Sequence, residues 1–62
     1  MAVTPRWRKE LIGKIYQNEI SDTMYRVEEV DDPAFAIAED IEGNTHLIPW
    51  VQIESGYYRE VT

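Results

Sequence analysis

Cysteine is absent from the 62-residue chain, which excludes disulfides and thiolate metal sites as sources of stability. Histidine occurs once, at His46, so a zinc centre built on several nitrogen or sulfur ligands is excluded as well. No apolar run reaches the roughly 20 residues that cross a bilayer, and the N-terminal residues lack the apolar stretch of about 7 to 15 that a secretory signal requires. A cytoplasmic protein without membrane contact is the expectation. No serine or threonine stands in a nucleophile motif, and no glycine-rich loop is present to cradle a phosphate. A domain this small also offers little concave volume for a substrate. The chain therefore reads as non-catalytic, with no cofactor and no metal.

Positive charge is the other scarcity. Six Lys and Arg stand against twelve acids, for a net charge of −6. Residues 1–14 hold Arg6, Arg8, Lys9 and Lys14 against Glu10, a local +3, whereas residues 15–62 hold two arginines against eleven acids, a local −9. Such a body repels phosphate backbones and anionic membranes. A hydrophobic fraction of 44% and seven aromatic residues nevertheless argue for a folded chain. Its length allows one domain, because either half alone would have too little interior. The division suggested by charge is a basic arm over residues 1–9 and one small β-domain over residues 10–62.

Residues 23–30 alternate, with Tyr25 and Val27 on one face and Met24, Arg26, Glu28 and Val30 on the other, which is the period of a strand. Asp31-Asp32-Pro33 interrupts the run, since proline has no ladder donor and aspartate favours turns. Alternation resumes over residues 34–41, with Phe35, Ile37 and Ile41 opposite Ala34, Ala36 and Ala38. Glu42-Gly43-Asn44 reads as a hairpin turn, because Gly and Asn tolerate positive φ. A three-residue loop there pairs Asp40 with His46 and sets Leu47 level with Phe35, Ile37 and Ile41, leaving Glu39 awkwardly on that apolar side. Pro49 ends the next strand and begins a short helical turn or corner through Ile53, and Ser55-Gly56 precedes a last strand over residues 57–61. Near the start, Thr4 before Pro5 has the form of a helix cap, so a loose arm or single helical turn through Lys9 leads into the first strand. Five short strands with frequent turns predict an all-β, five-stranded antiparallel small barrel.

Leu47-Ile48-Pro49-Trp50-Val51-Gln52-Ile53 resembles the passage in SH3-like barrels where the fourth strand gives way, through a proline-marked turn, to the fifth. With Leu11-Ile12-Gly13-Lys14 it is also similar to the PRC-barrel variant, whose strands open on Ile-Gly-Lys and close on Pro-Trp. The resemblance covers roughly residues 11–61 and implies a fold, SH3-like with the basic arm appended. It implies no ligand: the paired tryptophan and tyrosine-rich segment of peptide-binding SH3 domains are missing.

Several residues are candidates for contact. Tyr16, Trp50, Tyr57 and Tyr58 could offer rings to a protein partner within an acidic surround, since aromatic residues dominate interface energetics and a charged rim steers the approach. A sheet edge is a second route, and would also serve a homodimer. Arg6, Trp7, Arg8 and Lys9 combine cations with an indole, the make-up of a nucleic-acid contact, although the −9 body disfavours that partner. Electrostatics favours the arm folding back on the chain's own acidic surface with Trp7 filling one end of the barrel. Glu28, Glu29, Asp31 and Asp32 lack the spacing of a calcium loop and read as a solvated turn, and His46 reads as a cross-strand partner of Asp40. The leading expectation is a non-catalytic interaction module for a protein. Its rivals are a nucleic-acid-binding barrel and an acidic inhibitor mimicking DNA.

Overall fold

The computed structural model describes residues 5–61. Its elements are α1 (Arg6–Lys9), β1 (Ile15–Asn18), β2 (Met24–Glu29), β3 (Phe35–Asp40), β4 (Thr45–Pro49), α2 (Trp50–Glu54) and β5 (Tyr58–Glu60). The five strands form one antiparallel sheet in the order β4-β3-β2-β1-β5. The all-β, five-stranded, barrel-like reading therefore holds, but the sheet is not closed: β4 and β5 are its two edges. Thr4, the expected cap, lies outside the described residues, and Pro5 (φ −57°) precedes α1.

Local chemistry accounts for the corners. The β1–β2 turn is held by the Asn18 side chain, whose Oδ1 accepts from the N–H groups of Ile20 and Ser21 at 2.8 and 2.9 Å. In the acidic turn, Asp32 Oδ1 accepts from the N–H groups of Ala34 and Phe35 at 2.8 and 3.2 Å. α2 ends in a Schellman motif: Tyr57 N–H donates to Gln52 O, Gly56 N–H donates to Ile53 O, and Gly56 takes the φ of +87° the motif demands. This stop sends the chain back beside β1.

Three details differ from the sequence reading. The hairpin loop is Ile41-Glu42-Gly43 rather than residues 42–44, with Asp40 N–H bonded to Asn44 O and Ile37 opposite Leu47. Asp40 selects this register, since its Oδ1 accepts from the N–H groups of Glu42 and Asn44 at 2.9 and 3.0 Å. The register moves by two residues, so no side chain changes face. Second, β2 contains a bulge: Val27 pairs with Ala38 but Glu29 pairs with Ile37, leaving Glu28 as an extra residue. The bulge turns Val30 inward, away from Met24, with which plain alternation had grouped it.

The third difference concerns which side of the hairpin is buried. Val27, Ala36, Ala38 and Ile48 are buried, together with Leu11, Tyr16, Val30 and Trp50. Phe35 and Ile37 are only half-buried, while Leu47 is 58% and Ile41 95% exposed. The alanines face inward because the large groups come from elsewhere in the chain: Trp50 from the start of α2, Tyr16 from β1, Leu11 from the turn after α1. Close packing opposes small residues to large ones. Glu39 is consequently not misplaced, as it lies on the outer side between Arg26 and Thr45.

Candidate interaction surface

Of the four aromatics expected to meet a partner, two are structural. Trp50 is 3% exposed and its indole N–H donates to Asp32 O at 2.8 Å; Tyr16 is 8% exposed. Neither presents a ring to the outside, because the fold needs both as core volume. Burial, and behind it the Glu60 carboxylate across the strand pair, raises the Tyr16 pKa above that of an ordinary phenol. Tyr58 packs against the core and stands edge-on to Tyr25 at 5.9 Å. Only Tyr57, 49% exposed, has its ring half in water.

The basic arm is docked on the body through an aromatic contact. The Arg8 guanidinium lies 4.4 Å from the centre of the Trp50 ring and 5.3 Å from that of Trp7, and the two indoles meet edge to face at 5.8 Å. A cation over an indole face gains about 0.5–2 kcal/mol depending on desolvation. Arg8 Nε is buried without a hydrogen-bond partner, a cost that the ring contacts must offset. Arg6 and Lys9 are exposed. Of the predicted nucleic-acid contacts, the structure thus ties Arg8 to the core and leaves Trp7 partly covered.

At the opposite end of β4, Asp40 and His46 meet. His46 Nε2 lies 2.7 Å from Asp40 Oδ2, diagonally across the ladder, and the His46 ring stands edge-on to Tyr25 at 4.9 Å. The hydrogen bond from His46, followed by those from the turn's N–H groups, holds the Asp40 carboxyl below its ordinary pKa. The pair reads as a turn lock, with both groups used locally.

What sequence reasoning missed is the outer side of the sheet. There Phe35, Ile37, Leu47 and Pro49 lie together on β3 and β4. A separate groove of about 410 Å³ lies by the β3–β4 hairpin loop, lined by Met24, Tyr25, Arg26, Glu39, Asp40 and Ile41 among others. The signal was present in Glu39: a carboxylate alternating with Phe35 and Ile37 marks that side as wet.

The β4 edge borders this apolar side. Asp40 N–H bonds to Asn44 O and Trp50 N–H bonds to Ala34 O, so the even-numbered residues of this strand turn their backbone groups toward β3. Thr45 and Leu47 turn theirs outward, whereas Pro49 has no N–H and its C=O, at the N-cap of α2, accepts the first helical hydrogen bond. The two edges differ in protection. β5 is three residues long and carries Arg59 and Glu60, whereas β4 has five residues and no carboxylate or Lys/Arg. Charge on an edge is a usual guard against strand addition. Compared with protein-family models, curated proteins and solved structures, the chain matches none.

Proposed function

We propose that the chain is a non-catalytic interaction module that binds a protein partner by strand addition at β4, with the partner's side chains lying over Phe35, Ile37, Leu47 and Pro49. The observation that carries this reading is a β4 edge without Asp, Glu, Lys or Arg in a chain of net charge −6. Main-chain groups at Thr45 and Leu47 supply the affinity and the neighbouring apolar side supplies the selection. The helical turn that follows Pro49 and leads to β5 supports an SH3-like, PRC-barrel-like ancestry for the module. The aromatic-acidic surface is reduced to Tyr57, and the arm's engagement with Trp50 weighs against nucleic acid as the ligand.

The test is capture with the tagged chain from its host's lysate, combined with amide hydrogen exchange and an oligonucleotide shift assay. The expected result is a retained protein that protects the Thr45 and Leu47 amides and is lost with Leu47→Lys, while oligonucleotides are ignored. A protein held equally well by Leu47→Lys, with those amides unprotected, would overturn the edge reading. Oligonucleotide binding that weakens steeply with salt and vanishes in Arg6→Ala/Lys9→Ala would replace it with the nucleic-acid reading.

A further inference from the structure

We infer that the segment added at β4 carries a lysine or arginine opposite Thr45, held by the Glu39 carboxylate, and an apolar residue opposite Leu47. The inference rests on the edge reading above and gives the partner its chemistry, an extended strand that alternates and ends in a cation.

Glu39 is the observation that calls for the cation. It is half-buried on the outer side of β3, and among the described residues it takes part in no hydrogen bond or ion pair. Arg26 stands directly across the ladder from it, yet turns its Nε to Glu28 Oε1 at 3.0 Å, beside the bulge. The neighbouring Asp40 is by contrast already bound to His46 and to the N–H groups of the turn. A carboxylate held half out of water without a partner gives up hydration and gains nothing for it. A cation arriving on the outer side supplies the missing partner.

The ladder fixes where that cation comes from. On its β4 side Glu39 faces Thr45, a short side chain at the edge of the sheet. An added strand lies one spacing beyond β4, so two spacings, about 9.6 Å, separate it from β3. An extended lysine or arginine and an extended glutamate close that distance with only a threonine between them. The Glu39 carboxylate reaches over the hairpin loop at Gly43, where a Cβ would stand 3.6 Å from its Oε1, and the glycine has no side chain to cover it.

Pairing fixes the rest of the pattern. In an antiparallel addition, the more stable kind per residue, Thr45 and Leu47 each exchange a pair of hydrogen bonds with the residue opposite. The ladder ends there, since Pro49 has no N–H and its C=O is engaged by α2. Directly opposite residues share a face, so the residue opposite Thr45 extends toward Glu39, and the one two positions before it lies beside Leu47 and Ile37. Toward its C-terminus the segment thus runs from an apolar residue, through one of any type, to a cation. Charge selects a sign only at the Thr45 end: Trp50, where the arm is seated, also has Asp32 bonded to its indole and Glu54 in the same short helix. At longer range the net charge of −6 draws a basic segment in and repels an acidic one.

The probe is acetyl-Thr-Val-Thr-Val-Thr-Lys-Thr-amide, titrated into the full chain and followed by amide NMR beside two control peptides with Met or Glu in place of Lys. The Lys peptide is expected to move the Thr45 and Leu47 amides most and to bind about three- to tenfold more tightly than the Met peptide, with the Glu peptide weakest. Glu39→Gln removes the preference for Lys, whereas Glu42→Gln, a control in the same turn, leaves it within about twofold. Glu39→Lys reverses the order in favour of the Glu peptide, which a merely structural role for Glu39 would not do. A preference that survives Glu39→Gln, or an equal response to all three peptides, overturns the cation, and the edge reading outlives it as long as the Thr45 and Leu47 amides respond. If no peptide moves those amides the inference falls, and the edge reading then stands or falls with their protection by a captured host protein.

Discussion

The two sides of β3 invert the usual relation between size and burial. Ala36 and Ala38, the small residues, are fully buried, while Phe35 and Ile37 on the other side are half in water. The difference lies in what each side has available to cover it. The inner side receives Trp50 from α2, Tyr16 from β1 and Leu11 from the turn after α1, and these large groups need small residues beneath them. No helix or turn among the described residues returns over the outer side, where Leu47 and Met24 remain exposed. Apolar alternation alone thus identifies a strand but does not choose the side that is buried. Volume complementarity chooses it.

That contrast can be broken in graded steps. Trp50→Ala removes the largest inner group and the ring beneath Arg8, and is expected to cost about 3–5 kcal/mol, enough to leave so small a domain largely unfolded in urea titration. Ala38→Leu overfills the inner side and is expected to cost about 1–3 kcal/mol, read as a lowered denaturation midpoint with unchanged slope. Leu47→Ser on the outer side is expected to stay within about 0.5 kcal/mol. A Leu47→Ser penalty equal to that of Ala38→Leu would mean that the two sides are not distinct.

The finest test is pH. Asp40 has its folded pKa lowered, chiefly by the His46 hydrogen bond, so its contribution is present above the unfolded aspartate value and is lost as pH falls through the folded one. Thermal stability should decline on the acid side, with a shallower decline in Asp40→Asn. Tyr16 has its folded pKa raised by burial and by Glu60, so its contribution is present below the unfolded phenol value and is lost as pH rises through the folded one. Tyr16→Phe should flatten the alkaline limb and leave the acid limb untouched.

Much of the scaffold was legible from local chemistry. Pro49 and the Ser55-Gly56 pair bracket α2 because a proline cannot continue a ladder and a glycine accepts the left-handed φ of a helix stop. The Asp40–His46 contact was also legible, although one register was expected and another formed, since both put the two residues on the same side. The Glu28 bulge was not legible: an extra residue depends on how β2 must bend against β3, and Glu28 itself carries no mark of it. The candidate surface was missed because exposed rings were sought among the aromatics that the core needed most. Glu39 pointed to the wet side, but its meaning depends on the cross-strand neighbours Arg26 and Thr45.

The sequence by itself determined the strands, their punctuation, the acidic body and the basic start, because each of these is a property of neighbouring residues. Tertiary structure alone decided which side of the hairpin turns inward, that Trp50 and Tyr16 serve as core, and that β4, a strand without Asp, Glu, Lys or Arg, is left at an edge. Those outcomes follow from which distant groups can fill a given volume, a condition that no local pattern contains.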